Sequence, residues 1–352
     1  MEKISKKDVQ LDEKIRSGTA NIDDYFELGN TYLKRGQYEK LLDLYAELRL
    51  KQLSDIELAR VYNEEGEAFL AYGEIEKAKI LFEKSLQYLY SCGDSAECLL
   101  WKGLNHYNLF LYEYDNNLSE NHAINALKCF ESLIENLPQE QSDHKIHSCI
   151  ADIYMKFGDY RKALAAYDIA LKLSPDDDDK IWILTGIASI YSQKKEYDKS
   201  LNYFREALQK AKIAKVPTSK IYYDMGELFF KENRLDEAKN AFQEALKSKD
   251  SDPLLKGNSI YDIGIFWHLG IIAYRMQDDV NIINYLEKVL MIIDKRHYYY
   301  ANSHLTLGHY YWSIGDYEKA REHYNQVLIA PRAADEEIEM AKDCLAKIPL
   351  NA

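Results

Sequence analysis

Apolar positions recur along this chain with the 3.6-residue period of amphipathic helices, and the helices come in pairs. The first helix of a pair carries an apolar or aromatic residue, then an apolar–small doublet, then an aromatic three residues on. Examples are Tyr25, Leu28-Gly29 and Tyr32; Tyr222, Met225-Gly226 and Phe229; and His304, Leu307-Gly308 and Tyr311. The second helix opens on a ring or an aliphatic residue, a charged pair and a small or apolar residue. Tyr38-Glu39-Lys40-Leu41, Ile75-Glu76-Lys77-Ala78, Tyr160-Arg161-Lys162-Ala163, Tyr197-Asp198-Lys199-Ser200, Leu235-Asp236-Glu237-Ala238 and Tyr317-Glu318-Lys319-Ala320 all fit. Four residues later comes an aromatic: Tyr45, Phe82, Tyr167, Phe204, Phe242 or Tyr324. The unit repeats roughly every 37 to 40 residues, the mark of an array and not of a single globular core.

Small residues at Gly29, Gly66, Ala151, Ala188, Gly226, Gly270 and Gly308 are expected where the paired helices come closest, opposite Ala78, Ala163, Ser200, Ala238 and Ala320. The aromatic of the second helix is expected to fill the gap toward the next unit. Gly36, Gly73, Gly158 and Gly315 read as caps of first helices. Glu74, Asp159 and Asp316 then meet the positive dipole end of the second helix. The six prolines fall at predicted junctions, as the cost of proline inside a helix requires.

About eight units begin near residues 22, 59, 98, 144, 181, 219, 263 and 301. The predicted organisation is an N-terminal segment over 1–21, an array over 22–332 and a C-terminal capping helix and tail over 333–352. Residues 4–16 read as a short N-terminal helix. Two units depart from the pattern. In the third, Asp115–Asn121 reads as a loop inserted between its halves; the seventh carries Ile282 and Leu286 where alanine and a ring are expected. Lys249–Asn258 reads as a polar linker, and Tyr298–Tyr300 as packing between helices.

The unit resembles the tetratricopeptide repeat. The resemblance covers nearly the whole chain and implies an all-α, right-handed superhelical solenoid of helical hairpins with a C-terminal capping helix. It also implies that first helices line a concave face. On that face it places Asn30, Asn63, Trp182, Lys220, Tyr223, Glu227, Phe230, Trp267, Arg275, Asn302, His309 and Trp312. Rings and cations of this kind grip a peptide well, and the asparagines could bond its backbone. The same rings could instead pack between first helices. A chaperone-tail clamp of this family needs lysine where Phe26 stands and asparagine where Glu67 stands, so that specialisation is not expected. Peptide-pheromone receptors share the lengthened repeat, but the residues before the first unit are too few for their effector segment.

Charge narrows the partner. Acidic residues outnumber basic ones 58 to 45, a net charge of −13. Such a surface repels phosphate backbones and favours a basic or neutral partner with apolar side chains, not nucleic acid. Five cysteines without CxxC spacing read as reduced core residues, and no apolar run suggests a leader or a membrane span. These features point to the cytoplasm. His144, His147 and Cys149 lack a fourth metal ligand, and Asp176–Asp179 read as helix-start carboxylates. No phosphate loop, HExxH or GxSxG is present. The expected function is therefore a cofactor-free, non-catalytic scaffold that binds a protein or peptide segment. The alternatives are a structural or self-associating scaffold, or a regulatory peptide sensor.

Overall fold

The structure, a computed structural model, describes residues 6–113, 116–136, 143–250, 259–295 and 297–349. These are helical with no strand among the described residues, as the repeat pattern predicts. The chain divides into two compact units, one built on Met1–Val216 and one on Pro217–Lys249 with Asn258–Ala352.

The N-terminal unit begins with α1 (Lys6–Arg16), which buries Leu11 and Ile15 against the first hairpin. Five hairpins follow: α2 (Ile22–Lys34) with α3 (Tyr38–Leu48), α4 (Asp55–Tyr72) with α5 (Ile75–Leu89), α6 (Ala96–Tyr112) with α7 (Asn116–Asn136), α8 (His144–Lys156) with α9 (Tyr160–Leu173), and α10 (Asp177–Gln193) with α11 (Tyr197–Ala214). The C-terminal unit has α12 (Ser219–Lys231) with α13 (Leu235–Asp250), α14 (Ser259–Met276) with α15 (Asp279–Ile292), α16 (Tyr298–Ser313) with α17 (Tyr317–Leu328), and the last helix α18 (Asp335–Lys347).

Helix ends follow from local chemistry. Asn21 and Ser54 close capping boxes with Asp24 and Glu57, satisfying amide protons the helix cannot. Asp159 and Asp316 accept from the backbone amides of Lys162 and Lys319 at 3.1 and 3.2 Å. First helices other than α6, which ends on extended Glu113, stop on left-handed residues. Four are the predicted glycines; Lys195, Asn233 and Gln277 take the same conformation in other hairpins. Pro175, Pro217, Pro331 and Pro349 lie between or after helices, whereas Pro138 and Pro253 lie outside the described residues.

Packing corrects part of one expectation. The small residue of the first helix faces the aromatic of its own second helix, and the ring reaches the next unit as expected at Tyr167, where a methyl group on Gly186 of α10 would collide with its hydroxyl. A methyl group on Gly66 would stand 2.6 Å from the Phe82 ring, and one on Gly226 would stand 2.8 Å from Phe242. In the seventh hairpin Leu286 plays the ring's part against Gly270. The alanines Ala78, Ala163, Ala238 and Ala320 are fully buried one turn before the ring.

The loop expected over Asp115–Asn121 is overturned as well. Asp115 itself lies outside the described residues, but α7 is helical from Asn116 onward. Gly103 and Ala126 stand 23 residues apart, against 12 for Gly308 and Ala320. The difference is about three helical turns, so the hairpin lengthens without losing register. Gly103 still faces the Phe130 ring, where a methyl group would sit 2.5 Å from Cε1. Gly103→Ala should therefore cost about 1–3 kcal/mol by overpacking. Urea denaturation of the full chain reads it, and an unchanged midpoint would refute the pairing.

The linker expected from Lys249 lies mostly outside the described residues. Lys249 itself belongs to the last turn of α13 and is only 3% exposed.

Candidate functional site: an aromatic and carboxylate face of the C-terminal unit

The first helices α12, α14 and α16 bring together five of the residues singled out from the sequence: Lys220, Tyr223, Phe230, Trp267 and Arg275. Period explains the α12 members, since Lys220, Tyr223, Glu227 and Phe230 recur along one face of that helix. Lys220 is exposed and ion-paired to Asp224 at 3.0 Å. Burial nevertheless raises the Asp224 carboxyl above the usual range, because desolvation outweighs the lysine. Tyr223 is half-buried and its hydroxyl donates to Glu227 Oε1 at 3.3 Å. Its ring meets Phe242 edge-on at 5.6 Å. It reaches α14 at Gly264, where a methyl group would come within 2.9 Å of the hydroxyl.

On α14, Trp267 is half-buried and stacks on Tyr299 at 4.7 Å, with its indole Nε1 enclosed and unbonded. The exposed Arg275 lays its guanidinium over Phe230 at 4.5 Å, a cation–π contact. Between these groups sits His268, 6% exposed. It stacks on Phe242 at 4.6 Å and meets Phe230 edge-on at 5.3 Å. Its Nδ1 lies 2.7 Å from the Gly264 carbonyl oxygen, so Nδ1 carries the proton and donates. Nε2 is then an acceptor, 3.9 Å from Glu227 Oε1. Burial pushes the imidazole down to about 4, so it is neutral at pH 7.

The other candidates lie elsewhere. Asn302 donates to Glu337 Oε1 of α18 at 3.2 Å, and His309 Nε2 stands 3.7 Å from Cys344 Sγ on the same helix. Burial lowers the His309 pKa. Trp312 is half-buried, edge-on to Tyr324 at 6.3 Å. In the N-terminal unit Asn30 is exposed on α2 and Trp182 is 41% exposed on α10. Asn63 is a correction. It is wholly buried and donates to Asn105 Oδ1 at 3.1 Å, so it lines no groove. Its neighbour Glu64 is half-exposed instead. Burial, then repulsion from Glu67, pushes Glu64 up to about 7.

Sequence reasoning missed His268, Asp224 and Tyr299. A signal for His268 was present: it is the one polar residue in the run Ile265–Ile272, and a buried polar group needs a partner. Tyr299 carried none, since rings at a helix start read equally well as packing.

Models of the tetratricopeptide repeat match residues 25–57, 142–213, 219–252 and 262–329, more than half of the sequence. The chain belongs to the tetratricopeptide repeat family. No curated protein matches it. Among solved structures, this tetratricopeptide protein is similar to a Rap protein complexed with competence and sporulation factor. That match has 16% identity and a TM-score of 0.53, covering 84% of this chain and 81% of that one. A monomeric IFIT1 mutant with Gppp-AAAA matches at 13% identity and a TM-score of 0.52, over 96% of this chain and 75% of that one. PilF of Pseudomonas aeruginosa matches at 15% identity and a TM-score of 0.50, over 70% of this chain and 99% of that one. At these identities the likeness is one of fold. Among the described residues, no helix is long and apolar enough to cross a membrane.

Proposed function

We propose that this tetratricopeptide protein is a non-catalytic interaction scaffold that holds a protein segment on the α12–α14–α16 face. The segment is basic or neutral and carries apolar side chains. The observation that supports this reading is a run of half-buried rings, Tyr223, Phe230, Trp267 and Tyr299. Rings held by one another lose little freedom on binding and bury much area, which is why aromatic residues dominate binding hot spots. That a Rap protein of similar fold was solved complexed with a factor is consistent with such a role.

Selection from a displayed library of random nonapeptides tests this. The wild-type chain is expected to return peptides whose affinity falls at least about tenfold on Trp267→Ala. Equal affinity for the variant counts against the face as a binding surface.

A further inference from the structure

We infer that the position between His268 Nε2 and Glu227 receives a positively charged nitrogen of the bound segment: a lysine ammonium, an arginine guanidinium or a free α-amine. The inference rests on the proposed binding face and specifies what it selects.

Two acceptors confront each other there. The proton of His268 is committed to the Gly264 carbonyl at 2.7 Å, so the nitrogen aimed at Glu227 offers only a lone pair. Glu227 Oε1 stands 3.9 Å away, too far for a hydrogen bond and near enough for one donor to reach both. Glu227 accepts from the Tyr223 hydroxyl, but no cation among the described residues lies within ion-pair distance of it. The three nearby cations are otherwise placed. Lys220 is held by Asp224 at 3.0 Å, Arg275 lies over Phe230 at 4.5 Å, and Lys231, one turn beyond Glu227, makes no ion pair with it.

Ligand chemistry follows by elimination. A carbonyl or carboxylate would add a third acceptor to a site that already has two. A hydrocarbon would strip water from Glu227 and give nothing back. A nitrogen with several N–H bonds serves both acceptors, and its charge is stabilised by Glu227. His268, 6% exposed and clamped by Phe242, cannot turn away from this position.

The experiment uses the full chain, immobilised, and a pool of randomised nonapeptides, half acetylated and half with free amino termini. Peptides retained by the wild type should be enriched about tenfold in lysine or arginine at one position, or in free amino termini. Comparing the halves tells side chain from terminus. Glu227→Gln should abolish the enrichment while retaining more peptide than Trp267→Ala does. Glu227→Lys, which places the protein's own ammonium there, should abolish it too. Retention that depends on Trp267 but shows no preference for any cation would mean that water bridges the two acceptors. The inference then falls and the binding face stands. Retention indifferent to Trp267 removes both.

Discussion

Between pH 7.5 and pH 5 the C-terminal unit should lose about 4 kcal/mol of stability, well before the N-terminal unit loosens. Burial pushes His268, His304 and His323 each down to about 4, against an ordinary value of 6.5. Nδ1 of His304 lies 2.8 Å from Nδ1 of His323, so one ring must donate and the other accept. The sign follows from proton counting. Below pH 6.5 the unfolded chain protonates these imidazoles and the folded one does not. Stability is therefore full above 6.5 and drains away as pH falls toward 4. At pH 5 each imidazole has lost about 2 kcal/mol. The total is smaller than three times that because His323 is partly solvated and the pair can share a proton.

The N-terminal unit has an opposing set. His106, at about 4, and His122 and His147, both lowered by burial, act in the same direction, but burial pushes Glu64 up to about 7 and raises Glu65. Those carboxyls cost stability at neutral pH and recover it on acidification, because the folded state takes up their protons first. In the C-terminal unit only Asp224 is raised among the described carboxyls. Hydrogen exchange at pH 7.5 and 5.0, corrected for intrinsic rates, should show protection falling first in α12–α18. Equal loss in both units would be the wrong result for this account.

Asp262→Asn should destabilise the C-terminal unit by about 3–5 kcal/mol. The Lys249 ammonium lies 2.5 Å from Asp262 Oδ1, joining the last turn of α13 to the first turn of α14. An asparagine there would leave a buried ammonium without a counter-charge. Lys249→Met should cost less, because Asp262 keeps a fifth of its side chain in water. The double change Lys249→Met with Asp262→Leu should approach neutrality, since a buried ion pair adds little over well-packed apolar groups. Urea unfolding of the wild type, the two single variants and the double variant measures each cost. A single-variant cost of Asp262→Asn under about 1 kcal/mol would contradict the burial of this pair.

Much of the architecture was legible because its constraints are local. A period of 3.6, a cap and a doublet of small residues are written in neighbouring positions, so hairpins could be placed without coordinates. Even the lengthened third hairpin left a trace: Gly103, Ala126 and Phe130 keep the spacing of ring and alanine while the turn moves. The stretch from Asn116 was misread because asparagine and serine favour turns, a weak preference that extension of two packed helices overrides.

The candidate site was legible only in part. Lys220, Tyr223, Phe230, Trp267 and Arg275 came out together because one helical face carries each set. Asn63 failed because helix period cannot say which side of a stripe the next hairpin covers, and there Asn105 covers it. Asn302 and His309 met α18 for the same reason.

From sequence alone came the helices, their pairing, the family and a stripe of rings with an acid among them, all properties of spacing along the chain. Tertiary structure alone decided which of those side chains stay uncovered, and that the His268 lone pair points at Glu227. Exposure and aim depend on residues distant in sequence, and only packing brings those within reach.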